Sequence, residues 1–140
     1  MESLRLRHPR ATVIKFAAVS SRPETARVRL LLVNISPRHL QLSVKCAANS
    51  GVTASPAGHG NIGPRGRYEL ILSWKRPADC ASWIDAKEPK IVLKLNFLDT
   101  ETRVRLICVI EPNKFCAADQ PPLEQLYLDA DRVQEPAGPD

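Results

Sequence analysis

Between Arg27 and Trp74 no ten-residue stretch carries its apolar residues at the spacing of an amphipathic helix, which removes helical bundles from consideration. What the stretch carries is strand-like. Arg27-Val-Arg-Leu-Leu-Leu-Val33 is a short apolar run closed by the turn cluster Asn34-Ile-Ser-Pro37. Leu40-Gln-Leu-Ser-Val-Lys45 alternates, with Leu40, Leu42 and Val44 on one face and Gln41, Ser43 and Lys45 on the other. Ala47–Gly66, rich in Gly, Ala, Ser and Pro, reads as a connector. Tyr68, Leu70, Leu72 and Trp74 then share a face of a third strand.

The flanking sequence continues the pattern. Leu4-Arg-Leu6 before His8-Pro9 reads as a short edge strand stopped by proline, and Thr12–Phe16 as a strand with Ile14 and Phe16 inward. Arg76–Pro89 is a long connection with room for one helical turn, and its Trp83 is either a core plug or an interface anchor. Lys90–Phe97 alternates again, with Ile91, Leu93, Leu95 and Phe97 facing one way and Lys90, Val92, Lys94 and Asn96 the other. Asp99–Thr102 is a hairpin loop that pairs this strand with Arg103–Ile110. About seven strands at this spacing predict a β-sandwich, and twelve prolines with six glycines suit its many turns.

A length of 140 residues predicts one domain, and 44% hydrophobic residues suffice for a core. The net charge of +5 is unevenly spread, because residues 117–140 carry six acids against Arg132. The expected division is a basic β-sandwich domain over 1–116 and an acidic, flexible tail over 117–140. A basic body with an acidic tail implies an acidic partner, the tail folding back, or only a solvated surface.

The chain shows no signal-peptide pattern and no membrane-spanning apolar run, so a soluble cytoplasmic protein without direct membrane insertion is expected. Cys46, Cys80, Cys108 and Cys116 have neither metal-site nor disulfide-framework spacing. His8, His39 and His59 are scattered in loops, and the sequence lacks nucleophile-elbow, zinc-protease and phosphate-loop motifs. A non-enzymatic protein without cofactor or metal is expected. The few aromatic residues do not interleave with basic clusters, which argues against nucleic-acid binding.

These ordered features together resemble the major sperm protein (MSP) domain family, which includes nematode sperm cytoskeletal proteins and the VAP-type adaptors. The resemblance spans roughly Leu4 to Val109. It is carried by Leu4–Pro9 with Ile14-Lys-Phe16, by Leu30–Val33 ending in Asn34-x-Ser36, by Leu42-Ser-Val-Lys45, by Asn61-Ile-Gly-Pro64 before Tyr68–Trp74, and by Lys90–Phe97. It implies an immunoglobulin-like seven-stranded sandwich of the MSP/PapD-like type without enzymatic activity. It also implies a protein-interaction role, either self-association as a homodimer or in a cytoskeletal filament, or capture of short acidic (FFAT-like) peptides.

For peptide capture the resemblance points to Lys90-Ile-Val92, where the adaptors carry Lys-x-Met, and to Lys45 on the neighbouring strand. Alternation independently puts Lys45, Lys90, Val92 and Lys94 on outward faces, although outward lysines are also how edge strands resist aggregation. The tail sequence Leu126-Tyr-Leu-Asp-Ala-Asp131 is similar to the core of such a peptide. Tyr127, Asp129 and Ala130 are therefore expected to dock on the lysine face of the same chain or a neighbour.

Overall fold

A computed structural model describes residues 11–129; the strand expected at Leu4–Leu6 and the docking residue Ala130 lie outside them. Among the described residues nine strands form one hydrogen-bonded sheet in the order β4-β6-β2-β1-β8-β7-β3-β5, with β9 pairing β2. They are β1 (Ala11–Val19), β2 (Arg22–Asn34), β3 (Leu40–Cys46), β4 (Val52–Ser55), β5 (His59–Ile62), β6 (Arg67–Lys75), β7 (Ile91–Asn96), β8 (Glu101–Cys116) and β9 (Leu123–Leu128). The sheet curls so that its two halves enclose one core, as an immunoglobulin-like β-sandwich. β1 joins the two halves: Ala11–Phe16 run parallel to Arg105–Ile110 of β8, and beyond a register shift Ala18 and Val19 pair both Phe115 and Cys116 of β8 and the start of β2.

Alternation builds the core. Ile14 and Phe16, Leu40 and Leu42, Leu70, Leu72 and Trp74, and Ile91 through Phe97 at every second position are buried on the faces that the sequence pattern assigns. Val28, Leu30 and Leu32 of β2 meet them, while Leu31 and Val33 point outward and stay partly exposed. Trp83 packs edge-on against Trp74 at 4.9 Å, and its indole N–H donates to the Pro23 carbonyl at 2.7 Å, so it closes the core at one end. The helical turn allowed for in the long connection is a 3-10 turn at Trp83–Asp85.

Two stretches differ from expectation. The connector Ala47–Gly66 contains β4, which pairs β6, and β5, which pairs β3, so it carries the chain from one end of the sheet order to the other. Each strand is four residues long, too short to show periodicity.

The second difference is the tail. Leu123–Leu128 are a strand of the domain, running parallel to Arg29–Asn34 of β2, with Leu126 and Leu128 in the core. The Arg29 N–H donates to the Pro122 carbonyl (2.8 Å) and the Ile35 N–H to the Leu128 carbonyl (2.9 Å), which fixes both ends. The folded unit therefore extends past Cys116 to at least Asp129.

The turn after β2 is pinned by a buried side chain. Asn34 Nδ2 donates to the carbonyls of Arg38 (2.7 Å), Gly63 (3.1 Å) and Ile62 (3.2 Å). Its Oδ1 accepts from the Ser36 N–H (3.1 Å) and hydroxyl (2.8 Å). One amide thus saturates the loops leading out of β2 and β5, which is the role of Asn34-x-Ser36 here.

Candidate protein-binding face

The outward residues of β3, β7 and β8 form a continuous surface whose rows are set by strand register. Lys45 lies opposite Val92, and Val92 opposite Arg105. In the next row Ser43, Lys94 and Arg103 are aligned. Lys90 sits exposed just before β7. Of the four residues expected on this face, Lys45, Val92 and Lys94 are brought to neighbouring positions of β3 and β7, and Lys90 precedes β7 by one residue. Alternation put their side chains outward, and pairing β3 with β7 made them adjacent.

Arg103 and Arg105 were not among the expected residues. The signal was present: in Arg103-Val-Arg-Leu106 the arginines alternate with Val104 and Leu106, which are fully buried. The hairpin was expected to pair β7 with β8; what was missing was its register, which sets Arg105 opposite Val92 and Arg103 opposite Lys94. Past Arg105 the face becomes apolar, with Ile107 of β8 opposite Val13 of β1, whose side chain is 47% exposed.

Two carboxylates temper the charge. Glu101 lies 3.3 Å from Arg103 and 3.7 Å from Lys94, and Glu88 lies 3.6 Å from Arg105. All these groups are partly solvated, so the pairs hold the side chains weakly, within about 1 kcal/mol each. Lys45, Lys90, Lys94, Arg103 and Arg105 therefore face Glu88 and Glu101 with positive charge in excess. Glu88 also caps the ladder, since its carboxylate accepts the Cys108 N–H at 2.9 Å, where β7 has ended and supplies no carbonyl. Next to it, burial first and the Glu88 charge second push the Cys108 thiol up to about 12, against an opposing pull from Arg105.

The docking expected of the tail is corrected in one respect. β9 lies on β2, away from the β3–β7 rows, held there by the backbone ladder and by Glu124 Oε2, which accepts the Lys15 N–H at 2.9 Å. Tyr127 points outward and is half exposed, whereas Asp129 is buried. β9 binds its own domain through apolar strand addition instead of through charge. The lysine rows are left uncovered by β9.

Among the described residues no group of three or more His, Cys, Asp or Glu side chains is arranged to hold a metal ion. No helix among them is long and apolar enough to cross a membrane.

No family model matches the chain, and no curated protein matches it either. Among solved structures it is similar to two Caenorhabditis elegans proteins. One is the MSP family member WR4, at 19% identity over 69% of this chain and 92% of that one, with a TM-score of 0.41. The other is SSP-19, an MSP-domain protein like family member, at 19% identity over 72% and 95%, with a TM-score of 0.43. The PapD-like domain 7 of human CEP192 is similar at 9% identity over 73% and 82%, with a TM-score of 0.42. At these values the likeness is one of strand arrangement, and nothing about partners follows from it.

Proposed function

We propose that this chain is a non-enzymatic protein-interaction module that captures an acidic, partly apolar extended segment on the outer face of β3, β7 and β8. The observation that carries this reading is the alignment of Lys45, Val92 and Arg105 in one row with Lys94 and Arg103 in the next. Such a surface offers charge to carboxylates and an apolar contact to one side chain between them. The test is fluorescence titration with a synthetic peptide holding four to six Asp or Glu residues around one aromatic residue. Binding should weaken by more than about tenfold between 50 mM and 300 mM salt, because exposed charges are screened within about 10 Å. Lys45→Ala/Lys94→Ala should weaken it further at low salt. No binding at low salt, or binding indifferent to both changes, would reject the reading.

A second reading is self-association. It is supported by the large apolar side chains left about half or more exposed on a folded domain, among them Phe115, Leu123 and Tyr127. Light scattering across salt tests it: an assembly held by apolar contacts should persist at ionic strengths that release the peptide.

A further inference from the structure

On the face that carries the basic rows, the outward side chains change character along β8. Arg103 and Arg105 are followed at the next two outward positions by Ile107 and Val109. β1 runs beside them in parallel, with Val13 opposite Ile107 and Lys15 opposite Val109. Ile14, Phe16, Leu106 and Cys108, which alternate with these residues, are buried, so Val13, Ile107 and Val109 face outward. The three form an apolar strip on two neighbouring strands. Val13 is 47% exposed, and Ile107 and Val109 are partly exposed.

Val92 offers less. Its cross-strand neighbours are Lys45 and Arg105, so an aromatic ring laid on it would meet charge on both sides. Cross-strand neighbours stand about 5 Å apart and alternate residues of one strand about 7 Å apart. Val13, Ile107 and Val109 therefore give an unbroken apolar area as wide as one ring. Cations border it: Arg105 before it, Lys15 beside Val109, and Lys90 exposed just ahead of β7. The carboxylates nearby already have partners. Glu88 lies 3.6 Å from Arg105 and accepts the Cys108 N–H, Glu124 accepts the Lys15 N–H, and Glu111 lies 3.5 Å from Lys114.

We infer that the strip formed by Val13, Ile107 and Val109 anchors the captured segment, which carries acidic residues at alternate positions and an aromatic residue at the next position of the same series. This rests on the capture reading and adds to it the order and spacing of the ligand's side chains. An extended segment lying along β8 turns every second side chain toward the sheet. Carboxylates two residues apart then face Lys94 with Arg103, and Lys45 with Arg105. The next side chain of that series faces Val13 and Ile107. Arg103 and Ile107 are four strand residues apart, about 13 Å, which sets the span from first acid to ring. The cations bordering the strip favour this segment over a neutral apolar one.

The experiment is fluorescence anisotropy on the full chain at 50 mM and 300 mM salt, with three labelled peptides. The matched peptide is Asp-Ser-Asp-Ser-Asp-Ser-Asp-Ser-Phe, the shifted one exchanges its last two residues, and the third ends in Ala in place of Phe. Each is also made in reverse order, so that both chain directions are sampled. In at least one direction the matched peptide should bind at least about fivefold tighter than the other two, because in the shifted one Phe turns away from the sheet. This ratio should persist at 300 mM salt while every affinity falls. Val13→Thr and Ile107→Thr each keep a β-branched side chain at an outward position, so both should fold, which thermal melts check. Each should bring the ratio below about twofold and leave the affinity of the Ala peptide within about twofold. Leu123→Thr, at a similarly exposed position on β9, should keep the ratio. No binding of any peptide at 50 mM salt overturns this anchor together with the capture reading. Salt-sensitive binding with equal affinities for the three peptides overturns the anchor and leaves capture standing. So does a ratio that survives both strip variants, or one that falls as far in Leu123→Thr.

Discussion

At the scale of single residues, Asn34 does more for this fold than any other polar side chain described. It is fully buried and serves three carbonyls and two donors of neighbouring loops. Replacing it with alanine strands several of these groups away from water, and each costs about 1 kcal/mol or more. Asn34→Ala should therefore lower unfolding free energy by about 2–4 kcal/mol in urea denaturation. Ser36→Ala, which leaves the amide's own donors satisfied, should cost about 1 kcal/mol.

Cys108 gives the fold a pH dependence. Its thiol stays neutral in the native state up to about pH 12, whereas the unfolded thiol ionises at its ordinary value near 9.0. Below that value both states are protonated and the group contributes no slope. Above it unfolding releases a proton, so stability falls as pH rises from about 9 toward 12. Urea midpoints measured from pH 7 to pH 10.5 should show this decline, and Cys108→Ala should lose the part of it due to this group. A decline unchanged by Cys108→Ala would show that the thiol is not the cause.

At the scale of elements, β9 shows that a stretch acidic as a whole, 117–140, can still supply a strand to the core. Its Leu126 and Leu128 are buried in the main cluster, and its backbone completes a ladder along the second half of β2. Leu128→Ala should cost about 2–4 kcal/mol. Truncation after Cys116 removes both leucines and the whole ladder, and should cost more than about 4 kcal/mol or prevent folding. Thermal unfolding of the truncated chain decides this: a melting temperature equal to that of the full chain would mean that β9 does not hold the domain together. Such a truncation cannot serve as a test of assembly, because loss of the fold would mimic loss of association.

At the scale of the whole molecule, the sandwich separates two kinds of surface. One face displays the basic rows of β3, β7 and β8, and large apolar side chains, among them Leu98, Ile84 and Phe115, are exposed in other parts of the domain. Charge-led capture on the first should fade with salt, while self-association through exposed apolar side chains should not, so ionic strength separates the two proposed activities in one preparation.

The sequence by itself determined the strands long enough to show a two-residue period, and which of their faces turn inward. Ile14, Leu42, Leu72 and Leu93 lie where alternation assigns them, because side-chain direction in a strand is a local property of the backbone. It also put Lys45, Val92 and Lys94 outward, for the same reason. The tertiary structure decided everything that depends on a partner distant in sequence. β4 and β5 are strands only because β6 and β3 offer them edges, and β9 only because β2 extends beyond the reach of β1. Arg103 and Arg105 join the lysines through the β7–β8 register, and Asn34 finds Ile62 and Gly63 across 28 and 29 residues. Periodicity is carried by neighbours two positions apart; pairing is a competition among all the edges of the chain, and its outcome is set by burial of the shared core.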